Sequence, residues 1–206
     1  MEIEAKFRAP EQVFAALRGL GQLGPFALRR EPQLEIQRNI YYDTADARLR
    51  AAPYGLRIRH IGPRQIATLK GPARVADGLY TREEWELDVH GDDPAAWPAG
   101  ELRDRVLATI GAAPLLPTVE IHTEREHIYA ALGGRELAEL SLDASTLLAG
   151  DLRDSLRELE VELLPSADRD AFDQLVALLR ERFPLTPEPQ SKLARAMLLR
   201  ERWLKR

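Results

Sequence analysis

The sequence predicts an α+β fold on three observations. About eight runs alternate apolar and polar residues with period two, segments of helical period lie between and after them, and no shift in composition divides the chain. The strand-like runs come in neighbouring pairs joined by short turns rich in glycine and proline, as antiparallel hairpins require. With 206 residues and 45% hydrophobic content, the chain can bury one substantial core, so residues 1–206 are read as a single domain.

The elements follow in order. "EIEAKF" sets Ile3, Ala5 and Phe7 on one face of a strand and Glu2, Glu4 and Lys6 on the other, the two carboxylates about 7 Å apart. "PEQVFAALRGL" reads as a helix that starts at Pro10 and stops at Gly19. The next stretch, "GLGQLGP", spells G-x-G-x-x-G, but it follows a helix and runs into Pro25, whereas a dinucleotide loop follows a strand and opens a helix. It is read as a decoy. "QLEIQRNIYYDT", "YGLRIRHIG", "RQIATLKGP" and "YTREEWELDV" are strand-like, and "GPARVADG" connects the last two as a hairpin. Residues 94–111 read as one helix ended by Gly111. Strands return at "TVEIHTEREHIYAAL", "RELAELSLDASTLLAG" and "RELEVELLP", with Gly133 and Gly134 as a tight turn. Two helices close the chain, the first capped by Ser166, the second being "QSKLARAMLLRERWLKR".

Bulk composition excludes more than it selects. A net charge of −4, from 29 basic and 33 acidic residues, provides no whole-molecule field for nucleic acid or membrane, so neither partner is expected. The absence of cysteine excludes disulfides, thiol nucleophiles and cysteine metal sites. There is no apolar leader and no run approaching the roughly 18 apolar residues of a spanning helix, so a soluble cytoplasmic protein is expected. Nothing in the sequence sets an oligomeric state. Of the 29 basic residues only Lys6, Lys70, Lys192 and Lys205 are lysines, so each stands out in an arginine-rich chain.

The polar faces of the strands are not the irregular mixture that water usually meets. "LRIR" aligns Arg57 with Arg59, "TREEWEL" aligns Arg82, Glu84 and Glu86, "ELSLD" aligns Ser141 with Asp143, and "RELEVELL" aligns Glu158, Glu160 and Glu162. Two arrangements satisfy this pattern. Either the charges are solvated strand faces, or the sheet curls so that they line a bore while the apolar faces pack outward under helices. In the second case seven acids (Glu2, Glu4, Glu84, Glu86, Asp143, Glu160, Glu162) share a cavity with seven bases (Lys6, Arg57, Arg59, Lys70, Arg82, Arg125, Lys192). Both signs in one cavity suit a polyanion gripped by guanidinium and ammonium groups and bridged by a hard divalent cation on carboxylate oxygens.

"EIEAKF" matches the E-x-E-x-K signature of the CYTH family, the triphosphate tunnel metalloenzymes. "YYDT", "GLRIR", "TLKGP", "GLYTREEWEL", "SLD", "RELEVEL" and "SKLARAM" resemble its later motifs in order, from Glu2 to about Met197. The resemblance implies a closed eight-stranded antiparallel β-barrel, a tunnel with helices packed outside. It implies Mg²⁺- or Mn²⁺-dependent hydrolysis of inorganic triphosphate by in-line attack of water. Carried over by position, Lys6, Arg57, Arg59, Lys70, Arg82, Arg125 and Lys192 would hold phosphates. Glu2, Glu4, Glu84, Asp143, Glu160 and Glu162 would serve the metal, with Glu2, Glu4, Lys6, Glu160 and Glu162 at the reacting centre.

Thr123 departs from the pattern, since many relatives carry lysine there. Ser141 is expected to be a polar liner, Tyr41 and Tyr42 to be packing aromatics, and the four histidines to be core or surface residues. Class IV adenylyl cyclase, thiamine or nucleoside triphosphatase, and a non-catalytic polyphosphate-binding module are the alternatives.

Overall fold

The computed structural model describes residues 2–76 and 79–206. Asp77 and Gly78, within the expected "GPARVADG" connection, lie outside the described residues. Its strands are β1 (Glu2–Arg8), β2 (Gln22–Leu23), β3 (Phe26–Arg30), β4 (Glu35–Asp43), β5 (Gly55–Ile61), β6 (Arg64–Lys70), β7 (Arg74–Ala76), β8 (Leu79–Arg82) and β9 (Glu84–Asp88). Then follow the three long strands β10 (Leu116–Leu132), β11 (Arg135–Ala149) and β12 (Leu152–Leu163), and the short β13 (Thr186–Pro187). The helices are α1 (Glu11–Arg18), α2 (Arg48–Ala51), α3 (Glu101–Ile110), α4 (Arg169–Arg182) and α5 (Lys192–Leu204). None is long and apolar enough to cross a membrane among the described residues.

All the described strands form one strongly curled antiparallel sheet in the order β7-β8-β1-β12-β11-β10-β4-β5-β6-β9, with β2, β3 and β13 as side branches. This is thirteen strands where about eight were expected, because short pairings such as β2–β3 and β1–β13 leave almost no periodic signal. β8 pairs with β1 and β9 pairs with β6, yet only Glu83 separates β8 from β9. The Gly71 N–H donates to the Glu83 carbonyl at 2.9 Å at this join.

Local chemistry accounts for the boundaries that differ from expectation. The helix expected over 94–111 is a 3-10 turn (Pro94–Ala96) followed by α3, because Pro98 holds Trp97 extended (φ −71°, ψ 155°) between them. Ser166 does not cap α4, since its φ of 63° places it in a turn. Asp168 caps the helix instead, accepting from the Ala171 N–H at 2.9 Å. The third glycine of G-x-G-x-x-G, Gly24 (φ 55°), turns the β2–β3 hairpin, consistent with a decoy. Gly133 and Gly134 (φ 58° and 81°) supply the left-handed pair that a two-residue hairpin between β10 and β11 needs.

The apolar strand faces form three buried layers. Ala5, Phe7, Leu140, Leu142, Leu159 and Val161 pack under Phe14 and Leu17 of α1 and Phe172 and Leu175 of α4. A fully buried side chain such as Phe172 contributes about 2–3 kcal/mol through removal of apolar area from water. Leu56, Ile58, Ala67 and Leu69 pack under Leu102 and Val106 of α3. The third layer differs in side. α5 rests Ala196 and Leu199 on Tyr41, Ile121 and Leu147, which alternate in phase with the charged residues of the same strands. The expectation that every helix packs outside therefore fails for α5. It lies against the concave face, because beyond Thr123 and Ser145 that face of β10 and β11 carries Val119, Ile121, Leu147 and Ala149.

Candidate active site

The concave face encloses a cavity of about 860 Å³. Its lining includes Glu2, Glu4 and Lys6 from β1, Arg57 and Arg59 from β5, Lys70 from β6, and Arg82, Glu84 and Glu86 from β8 and β9. Arg125 from β10, Asp143 from β11, Glu160 and Glu162 from β12 and Lys192 from the start of α5 complete the set, so the structure brings every candidate residue into one space. A second hollow, of about 1000 Å³, is lined by Arg8, Ile36, Arg38 and Arg157 among others and contains none of these candidates.

Register explains the convergence. Glu4 lies opposite Glu162, Lys6 opposite Glu160, Arg125 opposite Asp143 and Asp143 opposite Glu158, so residues two apart on each strand form rows across neighbouring strands. Ser191 caps α5 by accepting from the Ala194 N–H at 3.1 Å, which starts the helix at Lys192.

Four cations already have carboxylate partners. Arg125 donates to both oxygens of Asp143 at 2.7 and 2.6 Å and to Glu160 at 2.7 Å. The Lys192 ammonium lies 2.9 Å from Asp143, 2.6 Å from Glu158 and 2.7 Å from Glu160. Burial disfavours every charge in this knot, but for all except Glu158 mutual attraction outweighs it. Lys192 and Arg125 are held far up, while Asp143 and Glu160 are held below the usual carboxylate range. Glu158, fully buried, has an oxygen in ion-pair contact with Lys192 at an angle that makes no hydrogen bond; burial raises its pKa. Lys70 reaches Glu84 at 2.7 Å and Glu2 at 3.5 Å, and Arg82 reaches Glu2 at 2.5 Å and Glu4 at 3.0 Å. Burial tends to raise Glu2, but Lys70 and Arg82 bring it down to about 2.

Other groups have unmet electrostatic demand. Arg59 makes one side-chain bond, to Asn39 at 3.0 Å, and burial with the neighbouring Arg57 and Arg125 charges presses its pKa down to about 10. The nearest carboxylate to Arg57 is Glu84 at 3.8 Å, and the Arg57 Nε has no hydrogen-bond partner. Lys6, almost fully buried, has no ion pair among the described residues and lies 4.2 Å over the Tyr80 ring. The carboxylates have the converse problem. Burial and then Glu160 raise Glu4, while burial, Glu2 and Glu4 push Glu162 up to about 7.

Among the described residues, no three carboxylate or imidazole groups are gathered closely enough to form a ready-made metal cage. The donor chemistry nevertheless fits a hard divalent cation. Glu4 and Glu162 present oxygens across one strand pair and both are disfavoured in their charged form, Glu4 by burial and then Glu160, Glu162 by burial, Glu2 and Glu4, a penalty that a cation between them would relieve.

Several liners were not among the sequence candidates. Glu35, Gln37, Asn39 and Tyr41 of β4 face the cavity, as do Thr123 and His127 of β10 and Glu139 of β11. Tyr42 packs in the α3 layer as expected, whereas Tyr41 both packs against the α5 layer and lines the cavity. His127 is neither core nor outer surface: its Nδ1 lies 2.6 Å from Glu139, which also accepts from Ser141 at 3.1 Å. Its spacing of two from Arg125 was the available signal.

Residues 1–197 match the CYTH domain. The chain belongs to the CYTH family. An inorganic triphosphatase of Haemophilus influenzae is 27% identical over 146 residues, 70% of this chain, and the chain spans only 40% of that protein's length. Solved structures of similar fold cover nearly the whole chain. One is a putative adenylyl cyclase of Hippeastrum with a dominant triphosphatase activity (TM-score 0.71, 21% identity, 96% of both chains). Another is a putative adenylate cyclase of Bacillus halodurans (TM-score 0.63, 23% identity, 93% of this chain and 94% of that one).

Proposed function

We propose that this CYTH protein hydrolyses inorganic triphosphate to pyrophosphate and phosphate in its charged cavity, assisted by Mg²⁺ or Mn²⁺. One observation carries the reading. Arg57, Arg59 and Lys6 lack close carboxylate partners while Glu4 and Glu162 are held against their charge, so one cavity demands both an anion and a cation. A metal-bound triphosphate answers both demands. The similarity to an inorganic triphosphatase favours this substrate among phosphoanhydrides.

In this reading Arg57, Arg59 and Lys6 bind phosphate oxygens directly. Arg125 and Lys192, oriented by Asp143, Glu158 and Glu160, present fixed positive charge where negative charge grows on the departing phosphate. Glu2, Glu4, Glu160 and Glu162 would hold the divalent ion, with Glu84 and Asp143 behind them. Bound there, the ion would neutralise phosphoryl charge and polarise the reacting oxygens. We further infer that residues 79–88 act as one interrupted strand, joining β1 to β6 and closing an eight-stranded tunnel. The Gly71 to Glu83 hydrogen bond supports that closure.

The test is phosphate release from tripolyphosphate, ATP and thiamine triphosphate with Mg²⁺ or Mn²⁺, with cyclic AMP measured in the ATP arm. Preferential turnover of tripolyphosphate is expected. Cyclic AMP formation would indicate the cyclase, and tight binding without turnover of any substrate would indicate a polyphosphate-binding module.

A further inference from the structure

On strand β10 the concave face reads Thr123, Arg125, His127, three positions spaced about 7 Å apart. Thr123 is neutral and is engaged with Ser145 at 2.9 Å, so the next cationic candidate beyond Arg125 on this strand is His127. The imidazole is fixed at one nitrogen only. Nδ1 lies 2.6 Å from Glu139, and the same Glu139 oxygen is steadied by the Ser141 hydroxyl at 3.1 Å. The other nitrogen makes no hydrogen bond among the described residues; its nearest carboxylate, Glu35, is 4.0 Å away. A carboxylate on Nδ1 fixes the tautomer and favours the doubly protonated ring, leaving Nε2–H as a donor toward the cavity. The side chain is 19% exposed and both His127 and Glu35 line the cavity, so a ligand can reach it.

We propose that His127, oriented by Glu139, is a substrate-binding residue that donates Nε2–H to a phosphate oxygen of the bound tripolyphosphate, extending the phosphate grip of β10 beyond Arg125. The assignment rests on the reading of the cavity as a triphosphate site. The charged groups that face the ring are Glu139 from β11, Glu35 from β4 and Arg125 from its own strand. The hydrogen bond to Glu139 raises the ring's pKa, with Glu35 adding to it and Arg125 opposing, so the imidazolium prevails at mildly acidic pH.

The experiment is calorimetric titration of the full chain with sodium tripolyphosphate in EDTA at pH 6.0 and 8.5, followed by steady-state kinetics where turnover is present. For wild type, H127Q, H127K and E139Q, circular dichroism confirms the fold first. Wild type is expected to bind about tenfold tighter at pH 6.0 than at pH 8.5. H127Q should bind about tenfold weaker at pH 6.0 with a smaller pH dependence than wild type, the remainder coming from other cavity groups such as Glu162, and its KM should rise with kcat within about twofold. H127K should restore binding at both pH values, and E139Q should move the wild-type pH midpoint downward. Folded H127Q that binds within twofold of wild type at pH 6.0, or folded H127K that fails to restore binding, overturns the assignment alone. No tripolyphosphate binding by wild type overturns the cavity reading and this assignment with it.

Discussion

Glu4 and Glu162 stand directly opposite each other on paired strands, 158 positions apart in sequence. A fold does not keep two carboxylates in that relation for stability, since like charges directly opposite are unfavourable and Glu4, after burial and Glu2, helps to raise the pKa of Glu162. Replacing Glu4 with alanine should relieve the repulsion while removing a metal donor. We expect E4A to lower phosphate release by about 100-fold or more while keeping the fold. Turnover within threefold of wild type would reject the metal role.

Arg59 is the complementary case. Its guanidinium is held among like charges and has one neutral side-chain partner. R59A should therefore cost binding more than folding. Loss of a charge-assisted phosphate contact of about 1.5–3 kcal/mol corresponds to a KM raised about 10- to 150-fold with a smaller effect on kcat. Steady-state kinetics with tripolyphosphate measure this directly, and an unchanged KM would remove Arg59 from the substrate contacts.

Glu188 carries a pH prediction outside the catalytic set. It is fully buried, pairs with Arg8 and with Arg195 (3.3 Å), and accepts from the Gln190 N–H at 3.0 Å. Burial tends to raise its pKa, but these partners outweigh it and hold the group below its ordinary 4.5. A depressed carboxylate pKa contributes stability that is present above the unfolded value and is lost as pH falls through the folded one. The melting temperature should thus fall below about pH 4.5 more steeply in wild type than in E188Q. Parallel acid profiles for the two proteins would refute the assignment.

Gly150 has φ +58°, and an added Cβ would lie 2.3 Å from the Trp203 ring. G150A should lower stability by about 1–3 kcal/mol, through left-handed strain and displacement of the ring. The double variant G150A/W203A should lose less than the sum of the two single changes, as measured by denaturant titration. Additive losses would mean that the ring swings away freely.

Much of this was legible in the sequence where the period-two signal was long. "EIEAKF", "LRIR" and "RELEVELL" gave both the strand and its inward residues, because each sets charge on one face and Leu, Val or Phe on the other. The β4 contribution was not legible. Gln37 and Asn39 are uncharged, and nothing in "EIQRNIY" says which polar set faces inward when Arg38 points out to pair with Glu120 at 2.6 Å. The inward placement of α5 was hidden for a related reason. The resemblance implies helices packed outside, and only the register of Tyr41, Ile121 and Leu147 reveals that the partners of α5 are on the concave side. The α4 cap was missed because Ser166 and Asp168 are both competent, and the choice between them is made by a backbone dihedral rather than by residue type.

The first strand is flanked by residues 79–82 on one side and 158–162 on the other, so it is seated only after most of the polypeptide has been threaded into place. Pairings this remote close large loops before any contact rewards them, which points to slow folding and to little residual site in partly folded states. A polyanion that needs the finished cavity would then bind the native ensemble alone, and tripolyphosphate should shift the unfolding midpoint upward in proportion to the logarithm of its concentration.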